Sequence, residues 1–319
     1  KMLITSERPK EEEKKITNKQ IIKKLLIYSI PFISFGITLS IYDYIDMTTI
    51  INVLTKLGFK TRDAESVLGV INTTGNKLNS VVLAISTGLM TSLVPNITSS
   101  FVAGDMDDVR KKIKQSFLML LYVTMPMAFG LSILAKPVFN AFYGASVWGP
   151  RVFCFTIFIA LFRCIFTTSI SISQSLNKFK NVFSSIIIGI LVKLIMQIPL
   201  MYLFNGMGLY PFYGSTLASL LGLATSFITN LVIINKTTTM DVKTYFKDMF
   251  KFIYPLVIMI IVLVIMKQFI PFNNLTRFKS IIIIGIYALV GMIIYFGLTI
   301  KNGIFKTIFG NKFLKKLKK

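Results

Sequence analysis

Four charged residues stand where a charge is costly. Lys193 lies inside the apolar run Asn181 to Phe204, NVFSSIIIGILVKLIMQIPLMYLF, and Arg163 lies inside an earlier run that follows Arg151. At about 1.5 Å per helical residue, Lys193 falls roughly 18 Å from Asn181, near the middle of a hydrocarbon layer about 30 Å thick. Arg163, reached by the same count from Arg151, lies at a similar depth. An ionised side chain there needs a counter-charge or a wet cavity. Asp43 and Asp46, one helical turn apart in the first apolar run, are the matching acids. Two readings follow. Each cation pairs with Asp43 or Asp46, or snorkels toward the head groups. Alternatively, both cations face a polar space and bind an anionic group such as a phosphate or pyrophosphate, joined by Gln197 one turn beyond Lys193. The carboxylates then serve as counter-ions or hold a coupling proton or sodium ion. The candidate set is therefore Lys193, Arg163 and Gln197 for substrate, and Asp43 and Asp46 for ion coupling or charge balance.

The elements that carry these residues are helices. Ser185, Gly189, Lys193 and Gln197 recur every four residues and share one face, with Ile186, Ile187, Leu191, Leu194 and Ile195 on the others. Thr156, Ala160, Arg163, Thr167, Ser171 and Gln174 form a similar face, as do Ser29, Gly36, Ser40 and Asp43 in the first run and Ser215, Ser219, Gly222, Ser226 and Thr229 in the sixth. The last two runs hold no charge at mid-depth. Six helices around a polar space, with two attached outside, is the expected arrangement.

Composition agrees. Of 319 residues, 54% are hydrophobic and only 15% charged, with a mean hydropathy of +0.69, too apolar for an ordinary water-soluble domain. The net charge of +23 sits mostly in short loops and tails beside apolar runs, where it sets topology; no nucleic-acid partner is expected. There is no histidine, which removes the usual general base and zinc ligand. Acids cluster only at Glu11 to Glu13 and Asp105 to Asp108, so the chain is not expected to be an enzyme or to hold a metal or cofactor. Cys154 and Cys164 are about 15 Å apart along one helix, too far to pair with each other.

The chain divides into a polar arm (1–24), a six-helix unit (25–234), a linker (235–251), two further spans (252–300) and a basic tail (301–319). Eight spans are predicted, at 25–50, 79–103, 116–135, 152–174, 182–204, 212–234, 252–270 and 280–300. Counting lysine and arginine places 25 on the side of the termini and nine on the other, so both termini are expected in the cytoplasm of a multi-pass bacterial membrane protein. The tail is expected to lie against anionic lipid or to stand as a solvated basic tail. Asp105 is a predicted helix cap, and Tyr143 and Trp148 suit the opposite membrane interface.

Five stretches in serial order carry a resemblance: SIPFISFGITLSIYDYIDMTTI, AISTGLMTSLVPNITSSFVAGDMDDVRKKI, TMPMAFGLSILAKPVFNAFYG, LVKLIMQIPLMYLF and GSTLASLLG. Together they resemble the MurJ and SpoVB type of flippase, in the multidrug/oligosaccharidyl-lipid/polysaccharide (MOP) exporter superfamily. The resemblance implies an all-α polytopic membrane fold with a MATE-like lobe. It also implies transport of lipid-linked sugars, of the lipid II class in several members, by alternating access. The eight spans match helices seven to fourteen of that family: one lobe, plus two helices implied to groove the lipid tail. On this mapping Lys193 takes the place of the family's lysine in the eleventh helix and Asp46 that of the acid near the outer end of the seventh; Arg163 matches no family motif. An N-terminal lobe is lacking. The chain opens on Lys1 inside a charged segment, which predicts a fragment, a partner lobe on a separate chain, or a second copy. The implied partners are thus a lipid-linked sugar, membrane lipids and a completing lobe. A multidrug/cation antiporter of the same superfamily, or a non-transporting remnant, is the alternative.

Overall fold

The computed structural model describes residues 18–240, 242–273 and 275–309. The arm ahead of Asn18, the side chains of Ser29 and Pro31, and the tail beyond Phe309 lie outside the described residues. All regular structure among the described residues is helical. The order is α1 (Asn18–Lys56), α2 (Thr61–Gly69), a π-helical turn (Val70–Thr74), α3 (Gly75–Val102), α4 (Met106–Ile133), α5 (Ala135–Tyr143) and α6 (Trp148–Ser175). There follow α7 (Phe179–Gly206), α8 (Pro211–Thr238), α9 (Val242–Phe269), α10 (Arg277–Lys301) and α11 (Ile304–Phe309).

Among the described residues, seven helical stretches are long and apolar enough to cross a membrane. The first predicted span, 25–50, falls within α1, a helix of 39 residues whose opening part lies outside the described side chains. Two connections expected to be loops are instead largely helical. The segment after α1 forms α2 and runs through the π turn into α3, and the segment after α4 forms α5. Apolar runs mark only the stretch that needs lipid; these helices continue past it because hydrogen bonding within the helix satisfies the backbone at either depth.

The packing is that of a membrane bundle. On α7 the large aliphatic residues Ile187, Leu194 and Ile195 are exposed at 55%, 52% and 62%, while Ser185, Lys193 and Gln197 are buried. The polar face is turned inward and the apolar face outward, as a lipid solvent demands. The main core joins α3, α4 and α6 with α9 and α10 through residues such as Val82, Leu120, Tyr122, Phe153, Leu263 and Tyr287. A second cluster ties the ends of α3, α4, α6 and α8 through Ile97, Ile113, Ile172 and Ile234. At that end Asp105 caps α4 as expected, its carboxylate accepting from the Asp108 amide at 2.9 Å.

The tightest pair is α7 with α8. A Cβ placed on Gly189 would lie 2.6 Å from the Gly222 carbonyl oxygen, and one on Gly222 would lie 2.7 Å from that of Gly189. Only the absence of side chains lets the two backbones approach so closely. At the end where α6 begins, Trp148 donates from its indole to the Asp63 carboxylate at 2.8 Å and packs on Phe59 and Tyr210, with the Arg151 guanidinium 5.6 Å from its ring centre. This aromatic joint fastens α2, α6 and the start of α8 together.

Candidate functional site

Helix α1 places Tyr42, Asp43 and Asp46 where α6, α7 and α8 meet. The two acids are three residues apart, so they leave the helix in different directions about 4.5 Å apart along its axis. Each takes its own cation.

Asp46 faces α7 and α8. Its Oδ2 lies 2.7 Å from Lys193 Nζ. Its Oδ1 accepts from Gln197 Nε2 at 2.8 Å and from Ser215 Oγ at 3.0 Å. Lys193 also donates to Ser219 Oγ at 2.9 Å, and its ammonium stands 4.7 Å from the centre of the Tyr42 ring. Gln197 donates to Thr49 Oγ1 at 2.6 Å as well. Every charge is thus met: one carboxylate with three donors, and one ammonium with a carboxylate, a hydroxyl and an aromatic face. The cluster is dry. The Lys193 and Asp46 side chains are 1% and 5% exposed, so the ammonium is closed off from any open space in this conformation. Of the two sequence readings for Lys193, the geometry presents the ion pair, with Asp46 as the acid.

Asp43 faces α6 and is far less enclosed, with 37% of its side chain exposed. Its Oδ1 lies 3.3 Å from Arg163 Nη2, and Arg163 Nη1 donates to Asn76 Oδ1 at 3.1 Å. Arg163 Nε is buried and has no hydrogen-bond partner among the described residues. This is a loose pair. A guanidinium can grip a carboxylate through two parallel bonds, and here it makes one long bond and leaves a donor idle. Toward the far end of α6, Thr167, Ser171 and Gln174 continue the Arg163 face, each half-buried.

All five sequence candidates therefore meet on α1, split into a closed cluster (Asp46, Lys193, Gln197) and a half-open one (Asp43, Arg163). Four partners went unread in the sequence: Thr49, one turn before Val53 on α1, and the three that follow. Tyr42 precedes Asp43 and lies one turn before Asp46, a position that already marks it as a neighbour of the lysine. Asn76 and Asn72 sit on the polar stretch NTTGN that spans the π turn, and Asn72 donates to the Asp43 backbone carbonyl at 3.2 Å. π turns recur at functional sites, yet no residue pattern announces them. Among the described residues, no group of acids, cysteines or histidines is placed to hold a metal ion.

These features define a class: a multi-pass helical membrane protein whose interior carries two cation–carboxylate pairs strung on one helix. Over 305 residues, 93% of its length, the chain is 24% identical to the protein named Lipid II flippase MurJ of Bacillus subtilis (strain 168). It covers 55% of that protein, so the chain spans about half the length of the curated relative it matches. The similarity bears out the resemblance to MurJ-type flippases carried by the sequence motifs. No protein-family model matches the chain, and no solved structure matches it.

Proposed function

We propose that this chain forms part of a flippase that carries a lipid-linked oligosaccharide or peptidoglycan precursor across the cytoplasmic membrane by alternating access. The observation that carries the reading is the match to Lipid II flippase MurJ through 93% of the chain. The geometry supplies parts that suit such a cargo. Arg163 offers an idle donor beside a half-exposed Asp43, a place where a phosphate oxygen can displace the carboxylate. Along α3, Thr87, Thr91, Ser92 and Asn96 are exposed; a polar row on a membrane helix suits a wet path for sugar better than it suits lipid. Between α4, α9 and α10 an apolar cavity of about 410 Å³, walled by Pro126, Met127, Leu263 and Tyr295, suits a hydrocarbon tail.

In this mechanism the two acids have different duties. Displaced Asp43 becomes a carboxylate without its cation inside the bundle and takes up a proton or sodium ion, which couples binding to ion movement. Asp46, held by Lys193 and Gln197, keeps α1 docked on α7 and α8. Lys193 and Gln197 reach the substrate only when α1 moves and that cluster opens. Either terminus is assigned to the cytoplasm by the balance of basic residues.

The test is growth rescue of a flippase-depleted strain by this chain, alone or joined to the unmatched part of the Bacillus subtilis protein. Losing a hydrogen-bonded charge contact is worth roughly ten- to hundredfold. Arg163→Ala is therefore expected to abolish rescue at normal membrane abundance, with Arg163→Lys intermediate. Full rescue by Arg163→Ala would remove the substrate role. Loss of cationic-dye efflux in Asp43→Asn, with Arg163→Ala unaffected, would favour an antiporter instead.

A further inference from the structure

A second basic site lies away from the α1 cluster, at the end of the bundle where α6 passes into α7 and α8 ends. Lys178, Asn181 and Ser184 on the α7 side face Ile233, Lys236 and Thr237 on α8 across an open polar pocket of about 570 Å³. Two ammonium groups, an amide and two hydroxyls converge there, and no carboxylate lines it. Neither lysine has an acid partner among the described residues. Two electrostatic details reinforce the pocket. Helix α7 begins without a side-chain cap, so its first amides keep their positive end toward the pocket. The opposing negative end of α8 is offset, because Arg110 donates to the Thr238 carbonyl at 2.8 Å.

We propose that this pocket binds the phosphate of an anionic phospholipid head group. A phosphodiester fits the donor set: its two free oxygens can span two lysines on different helices and still accept from Asn181 or Ser184. The surroundings distinguish a lipid from a soluble phosphate. The pocket lies at the ends of two membrane-crossing helices, the ends that the basic-residue balance assigns to the cytoplasmic face. Directly beyond Ser184, Ile187, Ile188 and Leu191 are exposed on α7. The head-group pocket thus opens onto an apolar wall along which acyl chains can lie. A lipid seated there bridges the start of α7 and the end of α8, the helices that hold Lys193, Gln197, Ser215 and Ser219. The site does not depend on what the protein transports.

Native mass spectrometry of the purified protein, released from nanodiscs of equal phosphatidylglycerol and phosphatidylcholine, tests this directly. The protein is expected to retain phosphatidylglycerol in preference. Each lysine at an anionic surface is worth about fivefold, so Lys178→Gln with Lys236→Gln is expected to lower retention about thirtyfold. The same change at Lys267 and Lys279, at the other ends of their helices, is expected to leave it intact. A thermal-shift series in the same lipids confirms that the double variant is folded and is expected to lose the stabilisation that phosphatidylglycerol confers on the wild type. Equal retention in the double variant, or no preference over phosphatidylcholine, would overturn the site. Displacement of the lipid by millimolar inorganic phosphate, with stabilisation by phosphate alone, would overturn the lipid assignment.

Discussion

Lys193→Ala is expected to unfold the protein far below the wild-type temperature. The substitution strands Asp46, 4% exposed, with Gln197 and Ser215 as its remaining donors and no cation. Removing one partner of a buried pair costs about 3–5 kcal/mol, because the other charge stays behind without compensation. The companion expectation separates charge from packing. Lys193→Met combined with Asp46→Leu removes both charges while keeping apolar volume, and is expected to recover most of the lost stability. A thermal-melt cycle over Lys193→Met, Asp46→Leu and the double variant in one detergent reads the coupling. Additive losses would mean that the pair does not hold α1 in place. If the flippase reading is right, the double variant stays inactive despite its recovered stability, since the group that α1 must release during the cycle is gone.

The second large effect concerns backbone contact. Gly189→Ala places a methyl group 2.6 Å from the Gly222 carbonyl oxygen and against the Ser226 hydroxyl, so α7 and α8 must separate. Overpacking of this kind costs about 1–3 kcal/mol; the Ser226 hydroxyl is the nearest atom and can rotate away, but the Gly222 carbonyl oxygen is backbone that cannot turn aside. Separation also moves Lys193 away from Ser219, so the loss is expected at the upper end of that range. Gly88→Ala is the control: nothing lies within 4 Å of its Cβ, and alanine favours helix over glycine by roughly 1 kcal/mol. The two alanines should shift the melting temperature in opposite directions. Equal shifts would sink the close-contact account of α7 and α8.

Much of this was legible from residue types alone. A lysine and an arginine deep in apolar runs require partners, and the three-residue spacing of Asp43 and Asp46 supplied two. The inward face of α7 followed from four-residue spacing, and the structure buries Ser185, Lys193 and Gln197 on it. Which acid meets which cation was not legible. That depends on which side of α1 each of α6 and α7 packs against, a matter of tertiary placement on which periodicity is silent. Nor was the difference in openness. Arg163 and Lys193 look alike in sequence, yet one keeps an idle donor beside a half-exposed acid and the other is sealed. The sealing comes from the glycine contact between α7 and α8, which draws Ser219 and Ser215 up to the charge pair. Helix extents were underestimated for a related reason: α2, the π turn and α5 are polar or short enough to read as connections, and their packing on α1, α6 and α10 holds them in place.

Trp148 is the protein's single tryptophan, and its fixed setting gives the molecule a built-in optical probe. Its indole is tied to Asp63 and enclosed by Phe59, Tyr210 and the Arg151 guanidinium, so emission should be blue-shifted and poorly quenched by iodide while that joint is closed. A red shift with faster quenching would then report a parting of α2 from α6, with no label and no added residue.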